Sequence, residues 1–372
     1  MGNVYHLLDE AEEFSDYSGG AISRWAANAL RFGTEKVLCV DADDSWKYSG
    51  DRIIKLRSLR FLRKTHPVFY RSPWLVQLLA YKFLFSPLLA SLAKGDLIYV
   101  HNRPEYAAVL SVLAPAYGVR VALHMHNSLL LRANAGQIKA LRNTPIIFVS
   151  KFLRDEAQQR YRGNFKKTYI LLNGADAAWF TPQWEKSNPS PVIIFVGRLV
   201  PHKGPHVLIN AMRLLAERGI NAECRIIGGA GFGGSKESNY VKSLRLDLPA
   251  NTALVGYQAG EQLLSSMRNA DIFCCPSTWN DPCPLSPLEA MACGLPVVAF
   301  AVGGVPEELE YGGGILVHQK DEHALALALE KLIVDSEKRK VVSRDARASF
   351  DAHFTWEHVR VNYNKIVDEL TR

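Results

Sequence analysis

Short apolar runs alternate with longer amphipathic stretches along most of the chain. The short runs suit buried strands, and a helical pattern falls between most of them. The predicted strands are Val4–Leu8, Lys36–Val40, Leu97–Val100, Val119–Met125, Ile146–Ser150, Ile170–Leu172, Val192–Val196, Glu223–Ile227, Ala253–Gly256, Ile272–Pro276 and Pro296–Phe300. Regular alternation of this kind predicts α/β structure, with parallel sheets and crossover helices.

One segment, Thr181–Pro191, breaks the pattern because it is rich in Pro, Ser, Asn and charge. It separates two halves that are each near the size of a doubly wound domain. We therefore predict two Rossmann-like domains that face a cleft, residues 1–181 and residues 190–355. A final helical pattern covers about Trp356–Thr371.

The positive charge of the chain is concentrated in one segment. The formal net charge is +7, and residues 52–94 contain nine Lys or Arg and no Asp or Glu. A solvated helical face would explain this. The interleaved Phe, Leu, Trp and Tyr instead favour an anionic membrane surface or a phosphorylated acceptor as the partner. The sequence contains no recognisable nucleic-acid-binding module, so we expect no nucleic acid partner.

Composition and cysteine usage point to an intracellular globular protein. The chain has 48% hydrophobic and 22% charged residues, and its six cysteines form no Cys-x-x-Cys pair. This indicates buried thiols in a reducing compartment, without disulfide or zinc. The apolar tract 67–93 is interrupted by Arg71 and Lys82, short of the about 18 uninterrupted residues that a span needs. With no secretory signal pattern, we expect a cytoplasmic protein that does not cross a membrane.

Two segments of the second half carry the candidate chemistry. The first, Gly197-Arg198-Leu-Val-Pro-His-Lys203-Gly, places two cations five residues apart after a strand. The second, Asp281-Pro-Cys-Pro-Leu-Ser-Pro-Leu-Glu289, leads into Ala-Met-Ala-Cys-Gly-Leu-Pro-Val. Cations and the free N–H groups of a helix start can hold a nucleotide diphosphate, while a carboxylate binds the ribose hydroxyls.

Each of these residues also has a purely structural explanation. Ser286 and Glu289 fit a capping box in which Ser286 is the N-cap residue. Asp281 could be an ordinary turn residue, and Arg198 and Lys203 could be ordinary loop cations. The spacing within and between the two segments favours the functional explanation.

Glycines supply further candidates. Gly19 and Gly20 precede a helical pattern at residues 21–31, which by itself indicates an ordinary turn. Residues 229–234 match the G-x-G-x-x-G pattern after a strand, which is typical of dinucleotide-binding folds. No acidic residue ends a second strand about 20 residues later, as that fold requires. We therefore prefer a flexible glycine loop over phosphates, with Gly231 in it.

Two strands of the first half end in histidine. His126 follows one apolar strand directly, and His124 lies two residues before it. The segment from His101 to Arg103 ends an earlier strand and could face an acceptor.

The order of these motifs resembles the family-4 retaining glycosyltransferases of the two-domain B type. The shared order is Gly-Gly, then Gly-Arg-x4-Lys-Gly, then an acid followed after seven residues by Glu-Ala-Met-Ala-x-Gly-x-Pro-Val. The likeness covers nearly the whole chain, densely in the second half and at short islands in the first. It implies that residues 1–181 bind the acceptor and that residues 190–355 bind a nucleotide sugar. It also implies that a helix over 356–372 packs back on the first domain.

The resemblance implies a role for each side chain. Arg198 and Lys203 would neutralise the departing diphosphate where other enzymes use a divalent metal, so we expect no metal and no cofactor. Glu289 would bind ribose, and His126 would face the donor sugar. Asp281 stands where the family usually has Glu, so its side chain is one methylene shorter toward the sugar hydroxyls.

Backbone groups would complete the expected donor site. Glycines would let the phosphates approach the main chain, and the helix start would offer N–H groups. The donor-binding residues expected in this way are Gly19, Gly20, Gly197, Gly231, Leu285, Ser286 and Leu288.

The implied reaction is sugar transfer with retention, by attack on the face that the diphosphate leaves. The segment Leu123-His-Met-His-Asn127 resembles bacterial lipopolysaccharide-core N-acetylglucosaminyltransferases. This implies UDP-GlcNAc or another UDP-hexose as donor, an envelope glycan or glycolipid as acceptor, and a peripheral position on the inner face of the plasma membrane. One alternative is an exopolysaccharide glucosyl- or mannosyltransferase that acts on a polyprenyl diphosphate acceptor. Another is a non-catalytic envelope-associated binding protein, which only Asp281 supports.

Overall fold

The chain divides into two compact units. The computed structural model describes residues 2–9, 13–14, 21–31, 33–42, 52–56, 72–231, 237–318 and 320–372. The first unit contains residues 1–173 and 356–372, and the second contains residues 174–355. The predicted Gly19 and Gly20 lie outside the described residues. So do residues 57–71 of the basic tract and 232–236 of the glycine run.

The first unit is built on a parallel seven-stranded sheet. Its strands, with two short ones that pair separately, are β1 (Val4–Leu7), β2 (Glu13–Phe14), β3 (Lys36–Cys39), β4 (Asp41–Ala42), β5 (Ile53–Lys55), β6 (Leu97–His101), β7 (Arg120–Met125), β8 (Ile146–Phe148) and β9 (Thr168–Ile170). The sheet order is β5-β3-β1-β6-β7-β8-β9, and β2 pairs with β4. The strand order therefore reverses between β1 and β6, which leaves a crevice at their carboxyl ends.

Among the described residues, six α-helices belong to the first unit, and the last of them comes from the end of the chain. They are α1 (Ala21–Ala29), α2 (Trp74–Ser91), α3 (Pro104–Leu113), α4 (Ala135–Leu141), α5 (Lys151–Arg160) and α13 (Trp356–Thr371). Val359, Tyr363 and Ile366 of α13 recur at helical spacing and are buried in the core of the unit with Trp25. The last helix is therefore part of the first hydrophobic core.

The second unit repeats this architecture. Its strands are β10 (Val192–Val196), β11 (Glu223–Ile227), β12 (Thr252–Gly256), β13 (Ile272–Cys275), β14 (Val297–Phe300) and β15 (Gly314–Val317), all parallel, in the order β12-β11-β10-β13-β14-β15. Its helices are α6 (Pro205–Glu217), α7 (Asn239–Leu246), α8 (Gly260–Arg268), α9 (Leu285–Ala292), α10 (Val305–Glu308), α11 (Glu322–Val334) and α12 (Ser336–His353). Here the order reverses between β10 and β13.

The predicted fold class is confirmed, and each of the eleven predicted strands overlaps an observed one. The prediction missed β5 and β15, which are two of the four edge strands, and the short pair β2–β4. Strand β5 has three residues and lies in the basic tract, and β15 follows consecutive glycines, so neither has the long apolar run of a central strand.

The predicted boundary between the halves lies too late in the chain. The second unit begins at Gly174, so residues 174–181 belong to it. The Pro- and Asn-rich stretch does not act as a free linker, because Asn188 Nδ2 donates to Asp271 Oδ2 at 2.8 Å. Composition alone could not show this, because the same polar residues suit a tether and a docked segment.

Helix α2 has the length and composition of a membrane span. Its 18 residues have a mean hydropathy of 1.3, and Lys82 is the one charge within it, so the helix is long and apolar enough for a span although Lys82 interrupts the apolar run as predicted. A single such helix is weak evidence for a span. Gln77, Tyr81 and Phe85 are buried, and Gln137 Nε2 donates to Gln77 Oε1 at 2.7 Å, so α2 is docked on the first unit. Its opposite face exposes apolar side chains, with Phe83 84% exposed.

A glycine allows the loop after β10 to pack against the end of β13. Gly204 has φ of 75° and precedes helix α6. A Cβ at this position would lie 1.9 Å from the Pro276 carbonyl oxygen. Only glycine permits both the left-handed backbone and this close approach.

The variant Gly204→Ala should lower the free energy of unfolding more than Gly219→Ala does. The φ angles are 75° and 74°, so both variants incur the cost of a left-handed L-residue, about 1–2 kcal/mol. A Cβ at Gly219 meets no atom within 4 Å, whereas one at Gly204 meets the Pro276 oxygen. Urea unfolding followed by circular dichroism measures both. Equal losses would show that the loop is not fixed against β13.

Candidate active site

The two motif segments meet where the strand order of the second sheet reverses. The 3-10 turn Pro201–Lys203 follows β10, and residues 276–284 follow β13. The His202 carbonyl accepts the backbone N–H of Thr278 at 2.9 Å and the Ser277 hydroxyl at 3.2 Å. These bonds join the two loops along their backbones.

The joined loops bring Lys203 and Asp281 into contact. Lys203 Nζ lies 2.6 Å from Asp281 Oδ2, and both side chains are largely buried, at 19% and 26% exposed. From the sequence, Lys203 is predicted to bind a phosphate and Asp281 to bind a sugar hydroxyl. The structure instead joins the two as an ion pair.

Asp281 is also held by its backbone from a third loop. Its N–H donates to the Trp279 carbonyl at 2.8 Å, and its carbonyl accepts the Gly304 N–H at 2.8 Å. Gly303, with φ of 58°, packs so closely that a Cβ there would lie 2.1 Å from the Asp281 oxygen. The Gly-Gly pair after β14 therefore fixes the backbone that carries the Asp281 carboxylate, and no motif in the sequence marked that pair.

Helix α9 begins one residue before Ser286, so the capping box that offered a purely structural explanation of Glu289 does not form. Its N-cap residue is Pro284, which has no side-chain oxygen to cap with, and Glu289 lies too far along the helix to be N3. The first-turn N–H groups without an intrahelical acceptor are those of Leu285 and Ser286, since Pro287 has none. The Leu288 N–H, expected at the phosphates, lies where the i→i−4 ladder has begun. Glu289 is half-buried, one turn beyond Ser286 on the same face of the helix.

One pocket of the second unit gathers part of the predicted set. Its polar and loop lining includes Gly197, Lys203, Ser277, Asp281, Pro284 and Ser286. Arg198 is exposed beside Gly197, and Gly231 follows β11 on a neighbouring loop; neither lines the pocket. Glu289, Leu285 and Leu288 do not line it either, so the pocket itself offers one cation, one carboxylate and the Ser286 backbone N–H to a ligand.

A buried acid that sequence analysis missed lies close to this pair. Glu308 is fully buried at the end of α10, and neither carboxyl oxygen has a nitrogen or oxygen partner among the described residues. Burial raises the pKa of Glu308 well above its usual value, and the nearby Asp281 carboxylate raises that pKa further. The signal in the sequence was a pair of acids within an otherwise apolar segment, Val-Pro-Glu-Glu-Leu.

The first unit carries a chain of histidines at the corresponding reversal of strand order. His6 Nδ1 lies 2.9 Å from His101 Nε2, and His101 Nδ1 lies 3.0 Å from His126 Nε2. His6 Nε2 also contacts the Tyr363 hydroxyl at 2.7 Å. His6, which sequence analysis missed, is a polar residue in an apolar strand, and that pattern was its only signal. Burial lowers the pKa of His6 and His101 well below 6.5, so both rings are neutral.

The two candidate histidines of β7 differ in exposure. His124 is fully buried, whereas His126 is half-buried, so only His126 can meet a ligand from solvent. Its backbone N–H donates to Asn102 Oδ1 at 3.2 Å, and Asn102 itself has φ of 53°. Arg103, a candidate for facing an acceptor, is buried and paired with Asp9 at 2.5 Å. That pairing commits Arg103 to internal contacts.

Glu308→Gln should gain stability over the wild type as pH rises. Above pH 4.5 the unfolded chain releases the Glu308 proton, whereas the folded protein keeps it until its raised pKa is passed. Wild-type stability therefore falls in this window by up to about 1.4 kcal/mol per pH unit, and glutamine removes this fall. Urea unfolding between pH 4.5 and 8 measures it, with Glu337→Gln on α12 as the exposed control. Parallel curves for Glu308→Gln and wild type would contradict a buried neutral acid.

Comparison with known proteins finds similarity mainly in the second unit. Residues 179–349 match the family model of glycosyl transferases group 1. Over 217 residues the chain is 33% identical to a D-inositol 3-phosphate glycosyltransferase of Stackebrandtia nassauensis, covering 53% of this chain and 48% of that one. Over 301 residues it is 26% identical to spore coat protein SA of Bacillus subtilis, covering 74% and 79%.

A solved structure shares the fold over nearly the whole chain. The Anabaena protein HepE in complex with UDP superposes with a TM-score of 0.71 at 20% identity, covering 99% of this chain and all of that one. At this identity the likeness shows the fold alone. Residues 179–349 are therefore similar to group 1 glycosyl transferases, and nearly the whole chain shares the fold of two Rossmann-like units with this solved structure.

Proposed function

We propose that the chain transfers a sugar from a nucleotide diphosphate sugar to an acceptor hydroxyl with retention of configuration. The observation that carries the proposal is the Lys203–Asp281 pair beside the start of α9, in a pocket at the reversal of strand order. Such a crevice at the carboxyl ends of parallel strands is the usual ligand site of an open α/β sheet.

The cations and the helix start would receive the diphosphate. Lys203 and Arg198 supply positive charge, and the N–H groups of Leu285 and Ser286 lack intrahelical acceptors. A diphosphate brings negative charge that competes with Asp281 for Lys203. Once Lys203 turns to the phosphates, the Asp281 carboxylate is available to the sugar hydroxyls. Binding of phosphate and binding of sugar are then coupled through one ion pair.

The shorter reach of Asp281 would be made up by its backbone position. The Gly303–Gly304 loop holds the Asp281 backbone by direct contact and a hydrogen bond, which can advance a shorter side chain toward the sugar. Glu289, on the same face of α9 as Ser286, would bind the ribose hydroxyls. His126 would contact the donor sugar.

The transfer step needs no nucleophile from the protein. The bond between the anomeric carbon and the leaving phosphate oxygen breaks, and a bond to the acceptor oxygen forms on the same face. The acceptor proton passes to the leaving phosphate oxygen. Arg198 and Lys203 would stabilise the negative charge that develops on the diphosphate, so this step would require no metal there.

A UDP-sugar is our preferred donor, with UDP-GlcNAc first and other UDP-hexoses next. UDP in the HepE complex, a protein of the same fold, supports the choice of base. The preferred acceptor is a lipopolysaccharide-core or other envelope glycan. An exopolysaccharide glucosyl- or mannosyltransferase that uses a polyprenyl diphosphate acceptor is the alternative enzyme.

We also infer that α2 places the protein on the inner face of an anionic membrane. The exposed side of this helix carries Leu75, Leu79 and Phe83 beside Lys82, within the basic tract 52–94. Apolar side chains next to cations suit the interface of a bilayer with anionic lipids.

Purified protein in EDTA should bind one nucleotide sugar and slowly release free nucleotide from it. Calorimetry and nucleotide release against UDP-, GDP- and ADP-sugars measure both quantities. Binding without release would favour the non-catalytic alternative. A requirement for added Mg²⁺ or Mn²⁺ would contradict charge neutralisation by Arg198 and Lys203.

Arg198→Ala should reduce transfer by about 100- to 1000-fold, because a fixed positive charge at the leaving group is lost. The control is Arg218→Ala, which removes a positive charge at the C-cap of helix α6. Initial rates and unfolding curves of both variants give the comparison. Full activity in Arg198→Ala would remove this residue from the leaving-group site.

Phe83→Asp should weaken binding to anionic vesicles at least tenfold. The control is Leu246→Asp in the second unit, because both side chains are highly exposed, at 84% and 89%. Flotation with phosphatidylglycerol vesicles at low and high salt measures the partition coefficient. Equal partitioning of the two variants would exclude α2 as the contact surface.

A further inference from the structure

We propose that His101, His124 and His126 form a binding site for one divalent transition-metal ion of the zinc class. The three residues stand at the carboxyl ends of the neighbouring strands β6 and β7, where the strand order of the first sheet reverses. The site lies within the first unit. It shares His126 with the proposed contact to the donor sugar, so a bound ion and the donor would compete for this ring.

The ring nitrogens already converge. One nitrogen from each histidine lies within 4.8 Å of the other two, and His101 Nδ1 is 3.0 Å from His126 Nε2. Tetrahedral zinc with nitrogens at about 2.0–2.1 Å holds its ligand nitrogens about 3.4 Å apart. Small ring movements would therefore bring all three nitrogens to ligand distance around a common centre.

His124 supplies an independent indication of a missing ligand. The residue is fully buried, and neither of its ring nitrogens has a hydrogen-bond partner in the described part of the chain. A buried polar ring without a partner is costly and rare in native proteins. A metal ion at the centre of the three rings would satisfy it.

The partners of His101 suit a metal ligand. With the metal at His101 Nδ1, the opposite nitrogen Nε2 carries a proton and can donate to His6 Nδ1 at 2.9 Å. His6 Nε2 then donates to the Tyr363 oxygen at 2.7 Å. Outer hydrogen bonds of this kind fix the tautomer and ring orientation of metal-binding histidines. The tautomers that these hydrogen bonds require of His101 and His6 are therefore consistent with a metal ion at His101 Nδ1.

The chemistry of the donors selects the ion. Neutral imidazoles favour Zn²⁺, Co²⁺, Ni²⁺ and Cu²⁺ over Mg²⁺ and Ca²⁺, which prefer oxygen. Rings of Trp25 and Tyr99 wall the site, at centroid distances of 4.9 and 5.5 Å from His124. Three ligands leave a fourth position for water, on the side of the half-buried His126.

The protein without an affinity tag, stripped by a chelator, should bind one Zn²⁺ per chain in equilibrium dialysis. No nucleotide sugar is present, so the result is independent of the proposed donor chemistry. Co²⁺ should give the visible absorption of a tetrahedral site and quench part of the tryptophan fluorescence. Trp25→Phe should remove that quenching but keep the absorption. Failure of the wild type to bind zinc above background would overturn the proposal.

Variants separate this site from adventitious binding. His124→Gln and His101→Gln should each weaken zinc binding at least tenfold, and His6→Gln should weaken it about 10- to 100-fold by removing the outer hydrogen bond. His323→Gln, an exposed histidine of α11, is the control and should bind as the wild type does. Circular dichroism checks folding. Wild-type affinity in folded His124→Gln, or an equal loss in His323→Gln, would overturn the assignment.

Discussion

The charged site of the second unit depends on the contact between Gly204 and the Pro276 carbonyl. Parallel strands in this order leave open space at the carboxyl ends of β10 and β13, and nothing in the sheet itself closes it. The glycine lets the two loops touch, and the bonds to the His202 carbonyl then align them. Lys203 and Asp281 meet as a result, although 78 residues separate them in sequence.

The two units share a topology, but the side chains gathered at the reversal of strand order are charged in one unit and neutral in the other. In the second unit, the reversal of strand order gathers ionised groups, Lys203 with Asp281, close to the buried neutral acid Glu308. In the first unit, it gathers neutral imidazoles among aromatic rings, with His101 and His124 fully buried. The same strand topology underlies both sites, because in each unit it brings side chains at the carboxyl ends of neighbouring strands together. Those side chains are charged in the second unit and neutral imidazoles in the first.

Sequence patterns could predict what depends on local order. The central strands, the final helix and the motif around Glu289 each show a periodicity or spacing along the chain. The Lys203–Asp281 pair, the burial of Glu308 and the link from His6 to Tyr363 depend on contacts between distant segments, which no local pattern encodes. The start of α9 was placed wrongly for a related reason. Ser286 is a good N-cap residue by its own preference, but the helix begins at Leu285 with Pro284 as its N-cap.

The last helix has a consequence for how the chain is made. Residues 174–355 are continuous, so the second unit can fold as soon as they have left the ribosome. The first unit is synthesised earlier, but its hydrophobic core is incomplete until the last helix supplies Val359, Tyr363 and Ile366. The half that is synthesised first is therefore completed last. A chain that loses its final helix would expose the His6 side of that core beside a second half that is already folded.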